Sequence, residues 1–298
     1  MKKQLCLTAT ILLLVSNFNA QDNDLGNSNL SPVFLNPSFA GSNGLFRATS
    51  SYAGFTKLTT GFETGYQKLT TSADGYIDAV NGGVALTYLG QSYGPLDNQQ
   101  VTFAYAQHLK FPEKHLIVIP SLQLGYSQKS ISSDWIVPPN TLIRNTVQYA
   151  SINSGLLINY RKNFFAGMIL ENLNHPDAGF VGLNRLPLHF SFHSSYTFNL
   201  ADNSLLQVMA KAKQTPSASA LQLSANAIIH QYLIIGAGYS DSESFQVVLG
   251  GRTNNFAAQL AYNGYFSAGL NYDSVEFHIS YNLRKKEIRK DVPLFERM

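Results

Sequence analysis

The sequence predicts an all-β transmembrane fold: an antiparallel outer-membrane β-barrel of about 14 strands with a short non-strand N-terminal arm. Three observations predict it. Apolar and polar side chains alternate strictly along almost the whole chain, the wet face is built from small neutral residues rather than charges, and the N-terminus reads as an export signal.

The export signal comes first. The only sustained apolar run, Leu5 to Val15, follows Lys2 and Lys3 and gives way to polar residues ending at Ala20, so residues 1–20 read as a signal peptide and Gln21 as the mature N-terminus. No stretch supplies the roughly 18 consecutive apolar residues of a spanning helix, in keeping with a mean hydropathy of −0.06. Removal of the signal takes away Cys6, the only cysteine, so no disulfide, thiol chemistry or Cys-ligated metal is expected after export. It also leaves 19 basic against 18 acidic residues, six of the basic ones between Arg284 and Met298. The body from Gln21 to Leu283 then carries a net charge of −2, which argues against a nucleic-acid footprint.

Residues 21–44 form the arm. They do not alternate, and they end in the compact run Phe34-Leu35-Asn36-Pro37-Ser38-Phe39-Ala40-Gly41. Phe34, Leu35 and Phe39 would be costly to leave in water, so the arm is expected to pack into or under the barrel. Pro37 pushes Asn36 out of the helical region and Gly41 permits a turn into the first strand.

Residues 45–283 form the barrel. The alternation places strands at 45–57, 66–78, 83–92, 98–110, 115–127, 149–161, 163–172, 187–199, 204–213, 219–230, 231–240, 244–252, 255–264 and 274–283. From Leu188 to Leu200, Leu188, Phe190, Phe192, Ser194, Tyr196, Phe198 and Leu200 alternate with His189, Ser191, His193, Ser195, Thr197 and Asn199; in the last strand, Val275, Phe277, Ile279, Tyr281 and Leu283 alternate with Glu276, His278, Ser280 and Asn282. A soluble sandwich would show the same period, but its wet face would carry Lys, Glu, Arg and Asp. Ser, Thr, Asn, Gln and His suit a barrel lumen instead. Tyr88, Tyr105, Tyr126, Tyr160, Tyr196, Tyr239, Tyr262 and Tyr281 are expected near strand ends, at the lipid headgroups. Short turns such as Arg161-Lys162-Asn163 and Thr253-Asn254-Asn255 fit the periplasmic side, and the longer segments 130–148 and 173–186 the outside. Residues 284–298 remain as a basic periplasmic tail, with Arg284, Lys285, Lys286, Arg289 and Lys290 as a candidate docking strip for an acidic periplasmic partner.

The search for catalysis yields no candidate. His189 and His193 share the lumen face, but four strand residues span about 13 Å, too far to chelate one ion without further ligands. Ser194 points to the opposite face from His193, and no Asp or Asn partner is assignable, so no hydrolase triad forms. No Gly-rich phosphate loop is present. We therefore expect no enzyme activity, metal or cofactor. Inward-facing charges are few, with Arg47 and Glu276 as candidates, which disfavours a solute channel lined by charges.

The arm is where a resemblance becomes specific. Gln21-Asp22, then Asn36-Pro37-Ser38-Phe39-Ala40-Gly41, then Arg47 on the first strand, resemble the PorP/SprF family of Bacteroidota outer-membrane proteins. Gly83-Val84-Ala85-Leu86 with Gly94-Pro95, Asp134-Trp135, Phe165-Ala166-Gly167, Glu171-Asn172-Leu173 and the closing 276–282 segment follow in the same order. The resemblance implies a component of the type IX secretion system or its gliding-motility branch, integral to outer-membrane lipid. Its implied partners are periplasmic ring proteins and a surface adhesin or secreted cargo with a C-terminal sorting domain. It makes Phe34, Asn36, Pro37, Phe39, Gly41 and Arg47 the candidate arm-docking or partner-binding residues. A passive outer-membrane pore for small solutes is the alternative: a plugged lumen favours the anchor, an open one the pore.

Overall fold

The computed structural model describes residues 31–44, 46–55, 65–131, 144–215, 218–241, 244–265 and 273–283. The predicted signal peptide, the first part of the arm, Asp134 and Trp135, and the basic tail lie outside the described residues.

The strands are β1 (Phe46–Phe55), β2 (Tyr66–Ile77), β3 (Gly82–Tyr93), β4 (Leu96–Gln107), β5 (Leu109–Phe111), β6 (Leu116–Ile131), β7 (Thr146–Tyr160), β8 (Phe164–Glu171), β9 (His189–Asn199), β10 (Leu205–Thr215), β11 (Ala218–Ile229), β12 (Leu233–Ser240), β13 (Ser244–Arg252), β14 (Phe256–Tyr265) and β15 (Ser274–Leu283). β4 and β5 are two parts of one wall strand, so the wall has the 14 strands the alternation predicts. Sequence neighbours pair antiparallel throughout, β4 pairs onward with β6, and β1 pairs with β15 from Phe46 opposite Leu283 to Phe55 opposite Ser274. That last ladder closes the sheet, and closure satisfies the edges that an open sheet could not leave in lipid.

Two details depart from the sequence reading. The predicted strand 98–110 is interrupted at His108, whose backbone N–H bonds to the Asn81 carbonyl at 3.2 Å while its ring turns into the lumen. β6 and β7 run further than predicted and stay paired up to Ser130 opposite Thr146, with the Lys129 ammonium 5.5 Å from the Tyr149 ring. Tyr126 consequently lies inside β6 rather than near its end, and Tyr88 lies in the middle of β3.

Alternation sorts the side chains as predicted. Phe190, Phe192, Tyr196, Phe198, Phe277, Ile279 and Tyr281 are exposed on the outer face, while Ser191, His193, Ser195, Glu276, His278, Ser280 and Asn282 are buried inside. Tyr160, Phe164 and Tyr196 stand side by side across β7, β8 and β9 near one rim, where amphipathic rings belong. The turns at that rim are tight. Arg161 and Lys162, Asp202 and Asn203, and His230 and Gln231 are pairs of residues with positive φ, the backbone of type I′ hairpins. β1 begins and β15 ends at the same rim, which is the periplasmic one by the rule of short inner turns. The long 173–186 connection lies on the opposite rim. There Asp177 accepts the backbone N–H groups of Asn184 and Gly179, which hold its carboxyl below the usual carboxylate range.

Candidate functional site

The arm lies inside the barrel. Going back from the start of β1, the chain turns upward and forms a 3₁₀ turn (Pro37–Phe39) and a single helical turn, α1 (Pro32–Leu35). The two prolines each start a turn, where a missing N–H costs nothing, and Asn36 between them is extended, as Pro37 requires. The Asn36 side chain caps the second turn by accepting the Ser38 N–H at 2.9 Å.

That cap fixes the orientation of the amide. With Oδ1 used by Ser38, Nδ2 faces the wall and donates to the Leu156 and Met168 carbonyls, both at 3.3 Å. It also lies 3.0 Å from His193 Nε2, so the imidazole presents its Nε2 lone pair and carries its proton on Nδ1. Asn36 thus ties the arm to β7, β8 and β9 at once.

Other contacts continue around the wall. Ser38 bonds Ser121 on β6 at 2.8 Å, and Ser31 bonds both Thr49 on β1 and Ser72 on β2. The His108 Nε2–H donates to the Ala40 carbonyl, and Asn43 donates to Asn282 on β15 at 2.8 Å. At the centre, Arg47 grips Asp74 through Nε and Nη2 at 2.8 and 3.0 Å, and the same carboxylate accepts the Gly41 N–H at 2.9 Å. Arg47 also donates to the Phe39 carbonyl, so one buried ion pair anchors the arm where it meets the first strand.

Packing completes the seat. Val33, Leu35, Phe39 and Ala40 form one buried cluster with Ala85, Ala104, Ile119, Leu157, Phe165 and Met209, lumen-facing residues of six wall strands. Phe39 meets the Phe165 ring edge-on at a centroid distance of 5.4 Å. Phe39→Ala should destabilise the protein by about 3–5 kcal/mol, read as a lower urea midpoint for the purified barrel in detergent.

Glycines supply the room. A Cβ on Gly83 would lie 1.9 Å from the Ala40 carbonyl oxygen, and one on Gly155 2.4 Å from Asn36 Oδ1. Gly41, at φ +68°, makes the turn that lets the arm pass so close to β3.

Of the candidate residues, Asn36, Pro37, Phe39, Gly41 and Arg47 are therefore brought together in one buried assembly. Phe34 is not: it is only half-buried, and Val33, at 1 % exposure, takes the inward position, because one helical turn cannot aim three consecutive side chains at one wall. Asp74, His108 and His193 were not among the candidates. His193 reads in sequence as lumen filler, yet it receives Asn36. His189 stays apart, 4.0 Å from Glu171, and Glu276 is buried on the lumen face as predicted. The inward charges are more numerous than the sequence reading allowed, because Lys211 and Lys213 share the lumen face with Gln207 and Met209 on β10. Among the described residues, no group of three His, Cys, Asp or Glu side chains is placed to hold a metal ion.

Residues 17–284 match the family model for the type IX secretion system membrane protein PorP/SprF. The chain belongs to the PorP/SprF family. No curated protein matches it. Among solved structures, this PorP/SprF barrel is similar to the Ralstonia pickettii toluene transporter TbuX, with a TM-score of 0.56 and 14% identity over 87% of this chain and 93% of that one. It is similar to the monoaromatic hydrocarbon channel CymD, with a TM-score of 0.55 and 10% identity over 89% and 94% of the two chains. It also resembles the Acinetobacter baumannii outer membrane protein Omp33, with a TM-score of 0.51 and 11% identity over 80% and 98%. At such identities these likenesses speak for the outer-membrane barrel fold alone. The Asn-Pro-Ser-Phe-Ala-Gly run that carries the family resemblance is the segment seated in the lumen.

Proposed function

We propose that this PorP/SprF barrel is a non-enzymatic scaffold of the type IX secretion system, assisting secretion or surface anchoring of cargo or adhesins with C-terminal sorting domains and contacting the periplasmic machinery. The observation that carries this reading is the occupied lumen. An arm seated in the lumen and hydrogen-bonded from β15 round to β9 ties these strands together and fills space on their side of the lumen, which supports the scaffold over the passive pore. On this reading Asn36, Pro37, Phe39, Gly41 and Arg47 act by building the seat, Phe34 at its margin contacts a partner, and the tail residues Arg284, Lys285, Lys286, Arg289 and Lys290 add periplasmic contacts.

The test pairs two measurements. A chromosomal deletion should release surface adhesins or sorting-domain cargo into the medium or trap them in the periplasm, as followed by mass spectrometry of each fraction. The purified full chain should give no stable conductance steps in planar bilayers. Porin-like conductance together with unchanged cargo distribution in the deletion strain would instead establish the passive pore.

A further inference from the structure

The periplasmic rim is not uniform. Between the β5–β6 and β7–β8 turns lies a cavity of about 550 Å³ whose cationic walls are Lys110, Arg161 and Lys162 and whose apolar surface is Phe111, Leu116 and Ile117. No Asp or Glu lines it. The Lys110 ammonium sits 5.3 Å from the Tyr76 ring and the Arg161 guanidinium 5.2 Å from the Tyr160 ring, contacts that aim both cations while leaving their charge uncompensated by these rings. By contrast, the β2–β3, β9–β10 and β11–β12 turns carry no Lys or Arg; Asp78 and Asp202 stand on two of them, and the β5–β6 turn carries Glu113 beside Lys114. Arg252, at the end of β13, is turned to the neighbouring hairpin, where its Nε donates to the Gln231 carbonyl at 3.0 Å. Clustered basic charge among these turns is therefore found at the cavity. The floor is firm as well, since Ile117 packs against the cluster that holds the arm.

We infer that this cavity docks an acidic, apolar-tipped peptide segment of a periplasmic protein; the inference rests on the proposed role at the secretion machinery and deepens it. Charge complementarity chooses an acidic occupant, and the apolar floor beside the cations chooses one that also carries Leu, Phe or Ile side chains, because a fully hydrated anion gains nothing from Phe111, Leu116 and Ile117. A peptide meets both needs in one chain, with carboxylates for Lys110, Arg161 and Lys162 and Leu or Phe side chains for the surface of Phe111, Leu116 and Ile117.

The experiment uses the full chain in nanodiscs and a fluorescent dodecapeptide alternating glutamate with leucine and phenylalanine. Binding that weakens with salt, is absent for the same peptide with lysine in place of glutamate, and falls at least about tenfold in the triple variant Lys110→Glu, Arg161→Glu, Lys162→Glu is the expected result. The charge-conserving variant Arg161→Lys, Lys162→Arg should bind as the native chain does, and heat-modifiable migration on gels verifies that all variants fold. Equal binding by the triple variant overturns the inference. So does a variant that loses only co-purifying phosphatidylglycerol while peptide binding is unchanged, which would give the cavity to a lipid headgroup. In cells the two levels separate: if the deletion strain misplaces cargo and the triple variant fully restores it, the docking inference fails while the scaffold role stands, whereas normal cargo in the deletion strain removes the scaffold role itself.

Discussion

Gly83→Val should expel the arm from the lumen and leave the barrel wall standing. The added Cβ would fall 1.9 Å from the Ala40 carbonyl oxygen and 2.6 Å from the Gly41 nitrogen, both backbone atoms, so no side-chain rotation relieves the clash. Either β3 or the arm must move. β3 is laddered along its whole length to β2 and to β4, while the arm here is held by the Asp74 and His108 hydrogen bonds, so the arm yields. A reporter is at hand in Ser42, which is fully buried and whose hydroxyl has no hydrogen-bond partner among the described residues. In a Ser42→Cys background, maleimide labelling should be slow while Gly83 is kept and faster by at least about tenfold once Gly83→Val is added, reflecting an arm that samples solvent. Conductance should appear in planar bilayers, and the urea midpoint should fall, because the burial of Val33, Leu35 and Phe39 against the wall is lost with the arm. Continued protection of the cysteine together with silent bilayers would show that the arm is not seated against Gly83.

Asp74→Asn should be the most destabilising single exchange in the lumen. The carboxylate is fully buried, takes two hydrogen bonds from Arg47 and one from Gly41, and its loss leaves a guanidinium that is 5% exposed without a counter-ion. Breaking one side of a buried pair costs about 3–5 kcal/mol, whereas replacing both partners by apolar groups of similar size is often close to neutral. Unfolding in urea followed by circular dichroism should therefore show a large drop for Asp74→Asn and recovery of most of it in the double variant Arg47→Met, Asp74→Leu. A single variant as stable as the native chain would mean that the ion pair contributes nothing to the anchoring of the arm.

The wall was legible because its code is local. Each strand announces itself through its own alternation, and even the inward placement of Glu276 and the outward placement of Phe277 follow from parity alone. The arm was legible in part: three apolar residues around Asn-Pro announced burial, and Pro37 announced a non-helical Asn36, but the two short turns and which of Val33 and Phe34 goes inward depend on how the arm meets a wall. The partners were not legible. Arg47 and Asp74 lie directly opposite each other on β1 and β2, yet the register is set across the 56–64 connection, whose length fixes no turn type. Asn36 and His193 are separated by 157 positions, and Gly83 and Gly155 read as ordinary strand glycines until the arm is laid against them. Gly83 and Gly167 fall in segments that carry the family resemblance, so that signal marked them without giving the physical reason, which is space.

The route of the arm also constrains how the protein is made. The arm lies N-terminal to every strand, yet its bonding partners are spread over strands completed much later: Ser121 and His193 belong to β6 and β9, and Asn282 sits one residue from the end of β15. A chain exported N-terminus first therefore carries Val33, Leu35 and Phe39 without a complete seat until β10 is made, and Asn43 without its partner until β15 is. Closure of β15 on β1 completes the seat through the Asn43–Asn282 hydrogen bond, so the last residues of the arm and the last of the barrel come to rest together.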